Sequence, residues 1–225
     1  MKCTLQVCLL VMTTALAVTS VSAFEGSREI PARLLPVPDT VSPAMQAAIG
    51  APPLPFWNTH PKSADEWKAF VQQLAEVTLK RLPLLREQTG VKVEPTTIGG
   101  VKAFIITPRE FAEGNRERVL VHVHGGGCVL APGEAGTPEA ILMAAFGRIK
   151  VISVDYRMPP DFPYPAAMDD AMAVYREVVK TTAPKKIGIF GTSTGGGMTL
   201  AMVLRAKQEA CPCQEPLLPQ RPGPT

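Results

Sequence analysis

Histidine is scarce in this chain and absent from its later part: His60, His122 and His124 are the only three, and none follows. Charge of one sign is lacking as well. The formal net charge is +3, and no run of Lys or Arg builds the basic stripe that nucleic-acid binding needs, so that class is excluded. Of the five cysteines, Cys3 and Cys8 lie in an apolar N-terminal stretch; the remaining Cys128, Cys211 and Cys213 are an odd set, unsuited to a disulfide framework. Cys128 reads as a small, buried apolar side chain. Beyond the N-terminus no apolar run is long enough to cross a bilayer. Internal repeats are missing, and no metal or cofactor is expected.

What the chain does have is proline, 23 among 225 residues, which is about twice average usage. The prolines cluster at Pro31 to Pro61 and in the last fourteen residues, leaving ordinary globular sequence between. The start reads as a secretory signal: Met1-Lys2, an apolar Leu5 to Val18, then Val21-Ser22-Ala23 with small residues at a cleavage site after Ala23. Thr13, Thr14 and Thr19 break the apolar run, which argues against a stable membrane anchor and for a secreted or periplasmic protein. The expected organisation is a signal over 1–23, N-terminal helices over 24–90, an α/β domain over 91–209 and a proline-rich tail over 210–225.

A short helix is expected around Pro43 to Ile49. Ser63 and Glu66 form a capping box, and Trp67, Phe70, Val71, Leu74 and Val77 fall on one helical face. Pro83 interrupts that helix and Gly90 ends the helical region. The period then changes. Val91 to Ile98 and Val101 to Thr107 read as strands joined by a hairpin at Gly99-Gly100. Buried strands are expected at Val119 to Val123, Val151 to Val154 and Ile187 to Phe190. They alternate with helices at Pro138 to Arg148, Pro165 to Lys180 and from Gly197 to about Glu209. Short apolar strands separated by helices predict a doubly wound α/β fold, its sheet mostly parallel and covered on both faces.

Gly191-Thr192-Ser193-Thr194-Gly195 fits G-x-S-x-G between an apolar strand and a helix. A serine on that turn is held strained with its hydroxyl exposed, while the glycines let backbone pass close by. Alone the pentapeptide says little, since glycine-rich turns are common. His124-Gly125-Gly126-Gly127 is an independent signal after another strand, where backbone amides can face a substrate oxygen because no Cβ intervenes. Both motifs stand on the correct side of their strands and in the correct order for acyl transfer.

With Asp155-Tyr156-Arg157-Met158-Pro159-Pro160, Pro163-Tyr164-Pro165-Ala166-Ala167 and Asp169-Asp170, these stretches resemble the hormone-sensitive-lipase-like carboxylesterase family of α/β-hydrolases, in the group whose nucleophile motif begins Gly-Thr-Ser. The likeness covers roughly residues 91–209. It implies that Ser193 is the nucleophile and that amides of Gly125, Gly126, Gly127 and Thr194 form the oxyanion hole. It implies further that His124 supports the glycine loop, and that Asp155, Arg157 and Asp169 anchor loops beneath the site. The helices before Val91 would form a cap over the acyl pocket. A small acyl ester is the expected substrate, with short chains the family expectation.

In this fold an acid and then a histidine follow the nucleophile. Only 32 residues follow Ser193; their acids are Glu209 and Glu215, and none is histidine. His122, inside a strand, reads as packed, and His60 as a surface residue. The triad is therefore expected to be incomplete and the chain inactive as it stands. Codon logic offers a cause: one G restored before the Ala210 codon permits Gly-Leu-Pro-Leu-Pro-Gly-Ala, so a one-base deletion near Glu209 is expected. Two other classes compete. A non-catalytic, hydrolase-like binding protein fits the missing histidine. A nucleotide-binding oxidoreductase would use Gly191, Gly195 and Gly197, but that fingerprint belongs to the first strand of its domain, and no Tyr-x-x-x-Lys pair occurs.

Overall fold

The computed structural model describes residues 34–53, 56 and 58–211. The expected signal over 1–23 and all of the tail beyond Cys211 lie outside them. Two compact units divide at Trp57. In the first, the described secondary structure is α1 (Pro43–Ile49), where Ser42 Oγ accepts from the Met45 amide at 3.3 Å and caps the helix. Among the described residues no helix is long and apolar enough to cross a membrane.

The second unit opens with α2 (Ala64–Leu79), whose start follows the expected capping chemistry with one change. Ser63 Oγ accepts from the Glu66 amide at 3.2 Å, but Glu66 reaches back to the amide of Lys62 at 2.6 Å, one residue further than a standard box. Trp67 meets Phe70 edge to face, with ring centroids 6.1 Å apart. The face expected to be covered is only partly so, since Trp67 and Val77 are exposed and Ala75 is the buried residue of the helix. Pro83 opens a new helix, α3 (Leu82–Thr89), where its missing N–H costs nothing. Gly90 closes it in the left-handed region at φ 67°.

The sheet contains β1 (Lys92–Ile98), β2 (Val101–Thr107), β3 (Val119–Val123), β4 (Lys150–Val154) and β5 (Ile187–Phe190), in the order β1-β2-β4-β3-β5. Gly99 and Gly100 take φ of 60° and 80°, the consecutive left-handed residues that a tight hairpin demands. Val101 thereby pairs with Ile98, and β2 then runs antiparallel to β4 with Ile105 opposite Ile152. Parallel pairing begins at β4–β3, with Val121 opposite Ile152, and continues to β5, with Val121 opposite Ile189. The sheet is thus mixed: parallel where helices intervene, antiparallel where the hairpin does.

Alternation along β3 and β4 sends side chains to two cores. Val119, Val121, Val123, Ile152 and Val154 pack under α5 (Ala166–Thr181) and α6 (Thr194–Gln208), against Met172, Tyr175, Met198 and Met202. On the other face Val151 and Ile106 meet Ile141 and Ala144 of α4 (Pro138–Gly147) and Leu82 of α3. Helices therefore cover both faces of the central strands.

Candidate active site

β5 delivers the chain to a turn that no ordinary residue adopts comfortably. Ser193 has φ 54° and ψ −125° and caps α6. A non-glycine residue in such a region costs about 1–3 kcal/mol, so the surroundings must impose it. They do so by close packing. A Cβ at Gly191 or at Gly195 would run into the carbonyl oxygen of Val123, the last residue of β3. The turn thus presses on the neighbouring strand end, and Ser193 is left exposed above it.

The His124-Gly125-Gly126-Gly127 loop leaves β3 directly beside this turn. A Cβ on Gly125 would lie 2.9 Å from the Thr192 carbonyl oxygen and 3.3 Å from Ser193 Cβ. Gly126 (φ 110°) and Gly127 (φ 65°) take conformations that disfavour a side chain, and the Gly126 carbonyl accepts from the amides of Val129 and Leu130. The Gly127 amide, expected to face substrate, donates instead to Thr194 Oγ1 at 2.9 Å and stitches the two motifs together. The amides of Gly126 and Thr194 have no acceptor among the described residues. Thr194 also begins α6, whose positive end favours a developing oxyanion.

His124 is buried and holds its own loop. Its Nδ1 donates to the Gly125 carbonyl at 2.8 Å, its ring stacks on Tyr156 at 4.2 Å, and the Tyr156 hydroxyl donates to the His124 carbonyl at 2.6 Å. Burial lowers the imidazole pKa, so this ring is neutral at neutral pH. Asp155 Oδ1 accepts from the Gly133 amide at 2.8 Å, beyond the glycine loop. Arg157 pairs with Asp170, not with Asp169: the Asp170 carboxylate receives the Arg157 amide, Nε and Nη2 at 2.8–3.1 Å. Asp169 binds Arg205 of α6 at 2.6 Å. The family stretch Asp169-Asp170 therefore holds two elements with two separate acids.

His122 is fully buried, as a packed residue should be, with Nδ1 at 2.9 Å from Ser153 Oγ and Nε2 at 3.1 Å from Glu139 Oε2. Burial pushes its pKa down to about 4, although the Glu139 carboxylate pulls the other way. Glu139 Oε2 also accepts from Thr192 Oγ1 at 3.1 Å, a contact that sequence reading missed. No histidine or carboxylate hydrogen-bonds Ser193 among the described residues. A cavity of about 870 Å³ lies apart from Ser193, lined by Lys68 and Val71 of α2, Val129, Pro132, Tyr156 and Arg157 among others. No cluster able to hold a metal ion occurs among the described residues.

Residues 120–220 match the family described as alpha/beta hydrolase fold. The chain is similar to an esterase of Acinetobacter venetianus, 33% identical over 129 residues, which is 56% of this chain and 41% of that protein. Its structure resembles esterase E25, with a TM-score of 0.74 and 37% identity over 83% of this chain and 58% of the other. It also resembles a hormone-sensitive lipase from a metagenome library, with a TM-score of 0.50 and 27% identity over 65% and 54% of the two chains. The chain spans less than half the length of the curated relatives it matches. The strained serine turn, the glycine loop against it and these likenesses agree: the chain has the α/β-hydrolase fold and is similar to the hormone-sensitive-lipase-like carboxylesterases.

Proposed function

We propose that the protein is a serine carboxylic ester hydrolase that takes short-chain acyl esters through an acyl-enzyme on Ser193. The observation that carries this reading is the exposed Ser193 at φ 54°, ψ −125°, pressed against the His124–Gly127 loop at the positive end of α6. Ser193 Oγ attacks the ester carbonyl and loses its proton to a base. The carbonyl oxygen gains negative charge and is received by the amides of Gly126 and Thr194. Collapse of the tetrahedral adduct expels the alcohol, which takes a proton from the same base. Water, deprotonated by that base, then releases the acid and restores the serine. Gly125 acts by leaving room beside Ser193 Cβ, and α2 serves as part of a cap.

Among the described residues no histidine or carboxylate bonds Ser193 as a base. A neutral serine alcohol is a poor nucleophile, so the 225-residue chain is inactive or nearly so, with only oxyanion binding left. That same gap favours a second reading for the chain as it stands, a hydrolase-like binding protein without turnover. We further read residues 1–23 as a cleaved signal and the protein as exported, which N-terminal sequencing of the exported product tests at Phe24. The deciding experiment corrects the reading frame after the Glu209 codon and assays the extended chain with p-nitrophenyl acetate. Turnover that disappears on Ser193→Ala supports the hydrolase. A frame encoding no histidine, or an extended chain without turnover, leaves the binding protein. Ordinary enzyme rates from the 225-residue chain, lost on Ser193→Ala, would reveal a base among its own residues.

A further inference from the structure

Something has to hold the residue in front of Ser193, and steric pressure from Gly191 and Gly195 does so on only one side of the turn. Thr192 lies on the face of the sheet covered by α4, where its hydroxyl donates to Glu139 Oε2 at 3.1 Å. The same oxygen receives His122 Nε2 at 3.1 Å, and His122 Nδ1 in turn accepts from Ser153 Oγ at 2.9 Å. His122 and Ser153 are register partners on β3 and β4, and the Phe190 ring sits 4.8 Å from the imidazole. Glu139 is thus clamped between a fully buried side chain and the nucleophile turn. Glu139 sits in the first turn of α4, and its Oε2 can accept both donors at once.

We propose that Glu139, oriented by His122, is a positioning residue for the nucleophile: through Thr192 Oγ1 it fixes the turn in which Ser193 is presented. The proposal rests on the reading of Ser193 as a nucleophile, but the chain of bonds it invokes exists whether or not Ser193 reacts. His122 enters as a neutral donor, because burial holds its pKa near 4, so the chain is intact at neutral pH without any ion pair. Thr192 is exposed, and replacing it should leave the folded core undisturbed.

The test uses the 225-residue chain and a fluorophosphonate probe. The Ser193 oxygen forms a bond to phosphorus, fluoride leaves and the serine proton passes to solvent; intact mass follows the rate. Glu139→Ala should slow labelling at least about tenfold and displace the amide resonances of Ser193 and Thr194. Glu139→Gln keeps one acceptor oxygen and should stay within about threefold with those resonances in place. Thr192→Val should reproduce the loss of rate without lowering the thermal midpoint, and Thr192→Ser should restore it. Unmoved Ser193 and Thr194 resonances in folded Glu139→Ala would overturn the proposal while leaving the nucleophile reading intact. If wild type labels no faster than Ser193→Ala, as expected of a serine without its base, the Ser193 and Thr194 resonances alone decide the positioning role. Should Glu139→Ala not fold, wild-type labelling by Thr192→Val overturns it.

Discussion

Ser193 is the point where the fold works against its own backbone. At φ 54° the residue carries strain of about 1–3 kcal/mol, and glycine would relieve most of it while adding some chain entropy to the unfolded state. Ser193→Gly should therefore raise stability by about 1 kcal/mol, read from the midpoint of a urea titration, although it removes the hydroxyl. Ser193→Ala keeps the strain and should leave that midpoint nearly unchanged. Gly195→Ala should act in the opposite direction, since its Cβ has nowhere to go but into the Val123 carbonyl. A loss of about 3 kcal/mol or more, or no folded protein at all, is expected from that overlap. The Ser193 turn was legible in sequence because a pentapeptide between strand and helix encodes it locally. Glu139 was not, since it lies 53 residues from Thr192 and reads as an ordinary first-turn acid. The Gly127 amide donates to Thr194 Oγ1, a partner that the glycine motif does not name.

Elements whose ends carry their own instructions came out as expected. The Gly99-Gly100 hairpin, the Ser63 cap and the Gly90 stop are each decided within a few residues. Removing the Ser63 hydroxyl by Ser63→Ala should cost about 1 kcal/mol, measured by thermal melting. Packing between elements was harder to read. The apolar stripe of α2 predicted a covered face, yet Trp67 and Val77 remain exposed among the described residues, because the stripe says which side is apolar and not how much of it meets a partner. Of the two adjacent acids of α5, Asp169 was the expected loop anchor, but Asp170 is the one that holds Arg157. Only the helix rotation decides that Asp170 points inward to Arg157 and Asp169 outward to Arg205. Asp170→Ala should cost about 2 kcal/mol, since the Arg157 amide loses its acceptor while the half-exposed guanidinium rehydrates. Asp169→Ala, a surface pair, should cost well under 1 kcal/mol in the same melting assay.

For the molecule as a whole, two buried histidines kept neutral, His122 in β3 and His124 just after it, make stability depend on pH. His122 has a folded pKa of about 4 against about 6.5 for an unperturbed histidine, and burial lowers His124 in the same direction. Between those values the unfolded chain binds more protons than the folded one, so stability rises with pH. It is fully present above pH 6.5, falls as the pH drops toward 4, and His122 alone accounts for about 3 kcal/mol of the loss. Urea titrations at pH 7.5 and 4.5 should show that drop, and His122→Gln should flatten the slope in this window. The doubly covered sheet itself was readable from the alternation of short apolar strands and helices, but its antiparallel front half followed from the hairpin alone. The order of the elements also bears on synthesis. Val123, Gly125, Glu139, Thr192 and Gly195, which shape the Ser193 turn, all lie within one contiguous stretch of chain. As that stretch emerges from the ribosome the turn can close on partners already made, so the serine would acquire its posture during translation.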